Sequence, residues 1–350
     1  MSARAPRPPR AVPPRRGTRD LYQEVTDRIV AALERGVAPW VRGYDPARGG
    51  APGALVIPRN GLTGRPYGGL NVLLLWLTAA ERSYTSPEWF TFNQAAEAAG
   101  LAKDRAGRWS HEPGKGVRKG ERSTLVTFWK ELAVEDDATG EARRVPLLRH
   151  FCVFNRAQVN GLPPEPAAVA AAGPAWLPVD AAERVVAESC ARVVEGCGAP
   201  RYDRAADTIT VPPRAAYAAP GAFYVDLLHE LAHWTGHPGR LGRAFGDRFG
   251  SPEYAAEELV AELGAAFLCA SLGVTGKLQH PEYIGSWIRR LRDDKREIFH
   301  AASHARRACA FLAGCCPTLA AAGAAADAAP EHDAEPAEES DADAGSSDAG

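Results

Sequence analysis

One five-residue segment, His229-Glu230-Leu231-Ala232-His233, constrains the fold of this 350-residue chain more than any other feature. An α-helix brings positions i and i+4 onto one face, so His229 and His233 present two imidazole nitrogens to one point, with Glu230 beside it. This is the pattern by which a helix offers two ligands to zinc and a carboxylate to the adjoining water. The run Phe223-Tyr224-Val225-Asp226-Leu227-Leu228 just ahead supplies the apolar stripe that buries such a helix. A second element must then bring a third ligand to the same point.

The third ligand does not follow metzincin spacing, because the histidine after Gly236 is His237, two residues too early. Downstream, Ser251-Pro252-Glu253 is a helix start, and Ala255 to Leu272 is a strongly helical run containing Glu257, Glu258 and Glu262. Glu258 and Glu262 share a face four residues apart. That spacing is similar to the gluzincin arrangement, in which a glutamate on a second helix binds zinc and an acid one turn later orients a zinc-bound histidine. Glu258 therefore reads as the metal ligand and Glu262 as the orienting acid; spacing alone leaves the reverse open, and Glu257 reads as a bystander. The expected cofactor is Zn2+, although another divalent metal fits the same donors. Glu230 is the expected catalytic general base, and hydrolysis of an amide in a protein or peptide substrate is the expected chemistry. Tyr217 and Tyr224 are candidate oxyanion donors. The run Arg201 to Pro213 has strand character and reads equally as an edge strand that pairs with an extended peptide or as an ordinary edge strand.

Charge divides the chain further. Its 41 basic and 43 acidic residues nearly cancel, yet residues 317–350 hold nine of the acids and no Lys or Arg, leaving 34 acids against 41 bases before them. The last segment is almost entirely Ala, Asp, Glu, Gly, Ser and Pro, too poor in large apolar groups to offset the entropy of ordering it, and reads as a disordered acidic tail. At the other end, six arginines interleaved with prolines fall in the first nineteen residues with no acid, so 1–18 reads as a disordered basic arm. The seven cysteines are odd in number and never form a CxxC pair, which fits reduced thiols. Neither a membrane span nor a signal core is visible, so the reading is a cytoplasmic chain with no membrane partner.

Between arm and tail the expected fold class is α+β in two domains. Leu21, Val25, Ile29 and Leu33 repeat every four residues before Gly36, which is an amphipathic helix that opens a domain over 19–162. A second apolar helix lies near Asn71 to Arg82. The runs Ser123 to Val134 and Val145 to Asn155, parted by Glu135-Asp136-Asp137-Ala138-Thr139-Gly140, read as a hairpin. A linker over 163–178 leads to a mostly helical, gluzincin-like metallopeptidase domain over 179–316.

Nucleic acid is the expected partner of the first domain. From Lys103 to Lys130 eight bases stand against three acids, with Trp109, Phe128 and Trp129 among them. Cations that track phosphates, interleaved with aromatic faces that stack on unpaired bases, suit single-stranded DNA without sequence preference. The candidate contacts are Lys115, Arg118, Lys119, Arg122 and Trp129, with Arg65 and Tyr67 on a tight turn near Gly64.

Taken in order, Asp20-Leu21-Tyr22, Ala38-Pro39-Trp40, Gly64-Arg65-Pro66-Tyr67 with Gly69-Leu70-Asn71, Arg118-Lys119-Gly120-Glu121 and Phe151-Cys152-Val153-Phe154-Asn155 resemble the N-terminal domain of the ArdC-type antirestriction proteins. The resemblance continues through His229 to His237 and Glu257 to Gly264, similar to that family's zincin-like metallopeptidase domain, and covers about residues 19 to 315. It implies a protein of plasmids or mobile elements that binds single-stranded DNA and protects incoming DNA from restriction. The loop from Gly43 to Ile57, the stretch from Lys103 to Gly114, the arm and the tail look like additions to that pattern.

Overall fold

The computed structural model describes residues 20–36, 38, 40, 55–135, 142–164, 179–217, 219–246, 251–276 and 281–322. The basic arm, nearly all of the linker and the acidic tail beyond residue 322 lie outside the described residues.

The first helix, α1 (Leu21–Glu34), starts where the Asp20 carboxylate accepts the Gln23 N–H, and its four-residue repeat turns Val25, Ile29 and Leu33 inward. Next, β1 (Arg59–Asn60) leads through a turn to α2 (Leu70–Arg82), which is buried along nearly its whole length. Then come β2 (Glu88–Phe90) and α3 (Phe92–Ala98), the latter opened by a capping box between Thr91 and Gln94. Two short strands, β3 (Gly116–Val117) and β6 (Val159–Asn160), form an antiparallel ladder of their own. Between them run β4 (Thr124–Glu135) and β5 (Ala142–Asn155), paired from Thr124↔Val153 to Glu135↔Ala142, which is the expected hairpin. The main sheet has the order β1-β2-β5-β4. Its closest approach is at Gly61, where a Cβ would come within 2.0 Å of the Phe90 ring, so no larger residue fits. Asn71 fastens α2 to β4 through Nδ2–H to Thr127 O at 2.7 Å and Thr127 N–H to Oδ1 at 2.8 Å.

The second half begins with α4 (Asp180–Ser189), β7 (Arg192–Glu195), β8 (Arg201–Asp203) and β9 (Thr208–Val211). Here the structure corrects the sequence reading. The run Arg201 to Pro213 is not one edge strand but a hairpin, turned at Asp207 with φ +46°. Because β9 pairs with β8 on one side and β7 on the other, it is the central strand, and the open edges belong to β7 and β8.

Helices complete the fold: α5 (Pro220–Trp234), α6 (Pro252–Leu272), α7 (Pro281–Asp293), α8 (Glu297–Cys315) and α9 (Pro317–Ala321). The last of these corrects the start of the tail. Leu319 is fully buried, and Thr318 donates to the Glu188 carboxylate through both N–H (3.0 Å) and Oγ1–H (2.7 Å), so the first residues assigned to the tail belong to the folded body.

The fold is α+β in two domains, and most of their buried side chains merge into one contiguous core, with Phe90, Ala95 and Val159 in a small second cluster. α1 packs against α7, Trp40 meets Trp287 edge-on at 5.8 Å, Trp76 lies 6.0 Å from Phe267, and Tyr22 lies 4.7 Å from Phe299. Thr26 Oγ1–H donates to Lys295 O at 2.7 Å across the same seam. No helix among the described residues is long and apolar enough to cross a membrane.

Candidate metal centre and nucleic-acid cleft

The metal-ligand motif occupies the last two turns of α5. This helix starts with proline at its first position and runs almost wholly buried, so its ligand face is turned into the core. α6 crosses it closely at Gly264, where a Cβ would come within 3.0 Å of the Ala232 Cβ. That crossing sets Glu257, Glu258 and Glu262 against the two histidines.

His229 Nε2 and His233 Nε2 lie 3.2 Å apart, and the Glu258 carboxylate oxygens lie 3.5 Å from the first and 3.6 Å from the second. These three residues are the one group of potential metal ligands among the described residues whose donor atoms converge, all within 4.8 Å of one another. Ligands at about 2.0–2.2 Å in tetrahedral array stand about 3.3–3.6 Å apart. The two imidazole nitrogens are close to that spacing, and the carboxylate reaches each of them through a different oxygen, with one donor atom per residue converging within 4.8 Å. A cation between them satisfies both imidazole nitrogens at once. The donors present therefore fit a divalent metal.

The remaining atoms of the ligands are held from behind. His229 Nδ1 faces Glu262 Oε2 at 3.5 Å, the place expected of an orienting acid. His233 Nδ1 lies 3.1 Å from Glu257 Oε1. Glu257 is thus no bystander: it is 4% exposed and is gripped by the buried Arg243, Nε–H to Oε2 at 2.9 Å and Nη2–H to Oε1 at 2.8 Å. Arg243 also donates to Thr235 Oγ1 and to Ala232 O, which ties the network to the end of α5. Sequence reading passed over Arg243, because its pairing depends on how the loop after α5 doubles back.

Burial opposes charge on both histidines, yet the facing carboxylates outweigh it. Hydrogen bonds to Glu258 and Glu262 hold His229 well above the usual histidine range, and those to Glu257 and Glu258 push His233 up to about 9. The same pairs hold Glu257 and Glu258 below the usual carboxylate range against their burial. Glu230 differs, since burial raises it more than the neighbouring histidines lower it. Of the two tyrosines, Tyr217 donates to Asp226 Oδ2 at 2.9 Å, one turn before Glu230, whereas Tyr224 lies in the core and donates to Glu183. Its hydroxyl is committed there, which removes Tyr224 as an oxyanion donor.

The expected nucleic-acid residues divide. Lys115, Arg118 and Lys119 line one cleft of about 490 Å³ together with Phe92, Trp109 and Asn160. Phe92 was not foreseen; it is 54% exposed at the first position of α3. An aromatic directly after a helix-capping threonine is the signal that marks it. Arg65, Arg122 and Trp129 are exposed but do not line this cleft. Trp129 stands on β4 with its ring 6.3 Å from Tyr22. Tyr67 is corrected: the bond from its N–H to Pro58 O turns the chain so that its ring enters the core at 7% exposure, where it cannot stack on a base. Burial pushes its hydroxyl up to about 12.

Comparison with known proteins follows the same division. A model of the N-terminal domain of the anti-restriction factor ArdC matches residues 19–154, and a zincin-like metallopeptidase model matches 180–304. DNA primase TraC of Escherichia coli is 34% identical over 309 residues, which take in 82% of this chain but only 26% of the primase. A second TraC of that organism is 33% identical over 305 residues, 19% of its length, so the chain spans about a quarter or less of these relatives. The uncharacterized protein y4eC of Sinorhizobium fredii is 35% identical over 301 residues that make up 90% of it. Among solved structures, antirestriction ArdC protein from the R388 plasmid matches in its metal-free form with TM-score 0.67 and 36% identity, over 87% of this chain and 98% of that one. Its Mn(II)-bound form matches with TM-score 0.64 and 34% identity over the same shares. With both domains matched in order and these full-length relatives covered almost end to end, the chain belongs to the ArdC family of antirestriction proteins.

Proposed function

We propose that the protein binds single-stranded DNA through its N-terminal domain and acts in antirestriction in the cytoplasm, with a zinc-dependent, metallopeptidase-like centre in its second domain. The observation that carries the DNA reading is the cleft in which two aromatic rings, Phe92 and Trp109, stand among Lys115, Arg118 and Lys119. Phosphate attraction alone does not separate single strands from duplex, whereas accessible aromatic faces favour unpaired bases. The relatives named for antirestriction and for priming of DNA are in keeping with a DNA partner. The test is binding of a labelled single strand against duplex of the same sequence across a salt series, before and after chelation. Single-strand preference that survives chelation supports the reading; no preference at any salt overturns it.

For the metal, two imidazoles and one carboxylate are the donor set of catalytic zinc sites with an open position. His229, His233 and Glu258 hold it, while Glu262 and Glu257 orient the two rings. When bound, the cation supplies Lewis acidity to a carbonyl and to water. Glu230, kept readily protonated by burial, accepts a proton from the attacking water and returns it to the leaving amine. That property favours a second reading, in which the centre cuts a restriction or regulatory protein and DNA binding only localises it. In a third, the metal merely staples α5 to α6. Glu230→Ala separates them: loss of antirestriction in cells with DNA affinity intact supports the protease, and an unchanged phenotype supports the staple.

A further inference from the structure

We propose that the cleft around Phe92 and Trp109 seats one unstacked nucleotide, its base against the aromatic rings and its flanking phosphates on Lys115 and Lys119. This rests on the single-strand reading above and goes beyond it by naming where a base leaves the strand.

The volume of about 490 Å³ falls in the range of about 300–1,000 Å³ that holds small ligands. A base in duplex has both faces covered by its neighbours and cannot use such a seat; an unpaired base can. Trp109 is fixed in plane by its Nε1–H bond to Asn93 Oδ1 at 2.9 Å, and Lys103 Nζ covers one of its faces 4.9 Å from the ring centroid. The same ring lines the cleft, where a planar guest can meet it. Phe92 touches Phe154 edge-on at 6.5 Å and otherwise spends its phenyl on solvent, a poor use of an aromatic unless something stacks on it.

The cations are placed rather than scattered. Lys115 is paired with Glu112 at 2.7 Å, and its stem lies so close to Gly161 that a Cβ there would come within 3.0 Å of its Cγ. Arg118 is paired with Glu121, whereas Lys119 has no acidic partner among the described residues. Lys115 and Lys119 bracket β3, whose Gly116 pairs with Asn160 of β6, and the exposed Asn160 amide offers both a donor and an acceptor to a base edge.

The test uses the full chain and an oligothymidine carrying one 2-aminopurine, with duplex of equal length as the comparison. Binding is expected to quench the 2-aminopurine. Phe92→Ala should weaken single-strand affinity about 5- to 150-fold and restore the emission, with its thermal midpoint unchanged because the side chain is exposed. Trp109→Phe should keep most of the affinity that Trp109→Ala loses. Lys119→Ala should lower the slope of log affinity against log salt by about 0.7. Unchanged affinity and quenching in both alanine variants, in a chain that binds single strands tightly, would overturn the seat and leave the single-strand reading standing. A parent chain with no preference for single strands would overturn both.

Discussion

The metal centre and the cleft solve opposite problems with the same few residue types. At the metal centre His229, His233, Glu257, Glu258, Glu262 and Arg243 are all buried and each faces a group of opposite charge. Two helices cross closely, and the chain Arg243-Glu257-His233 fixes a ring before any ligand arrives. The cleft is built from a turn, a seven-residue helix and a two-residue ladder, with its cations and Phe92 exposed and Trp109 half-buried. A cation of fixed radius rewards preorganisation, while a strand with variable bases rewards side chains that can adjust. The contrast predicts that substitutions cost stability at the first site and salt-dependent affinity at the second.

The largest effect should come from Arg243→Ala, which leaves Glu257 buried without its cation. Denaturant unfolding of the chelated protein should show a loss of about 3–5 kcal/mol. Glu257→Gln keeps the shape but weakens the hold on His233, and metal affinity by competition titration should fall about 10- to 100-fold. If that substitution left metal affinity unchanged, the ring would be oriented by something else, and the contrast would lose its basis.

Acid and base should act on the metal centre in opposite senses with and without metal. His233 is raised from 6.5 to about 9 in the folded chain, so its stabilisation is complete below pH 6.5 and is lost as pH rises through 9. Glu257 and Glu258 are lowered from 4.5, so their contribution is present above that value and lost as pH falls below it. The thermal midpoint of the chelated protein should therefore peak between about pH 4.5 and 6.5. Metal affinity should instead climb from pH 6.5 to 9, because the cation displaces the imidazolium protons. The smallest effect belongs to the cleft: breaking the exposed Lys115–Glu112 pair with Glu112→Gln should change stability by less than about 1 kcal/mol. It should tighten DNA binding slightly at low salt.

What could be read in the sequence followed local rules. The α1 repeat, the β4–β5 hairpin and the metal-ligand helix each declare themselves within a dozen or so residues, through period, capping or turn chemistry. Glu258 and Glu262 were equally visible, since four-residue spacing is itself a helix geometry. Glu257 was not, because its partner Arg243 lies 14 residues away across an irregular loop. Phe92 and Tyr67 fail in opposite directions, one aromatic left outside beside Phe154 and one drawn inside by the turn that joins it to Pro58, and neither outcome is marked by composition. Whether β9 is edge or centre depends on β7, which no pattern within Arg201 to Pro213 reveals.

The seam between the halves also has a consequence in time. Thr26 bonds to the carbonyl of Lys295, 269 residues further along the chain. At about 5–20 residues per second, Thr26 is synthesised roughly 13–54 seconds before the residue it docks against. Throughout that interval the apolar stripe of Val25, Ile29 and Leu33 has no native cover from α7. α1 is thus made early and housed late, its native cover complete only once α7 has been made.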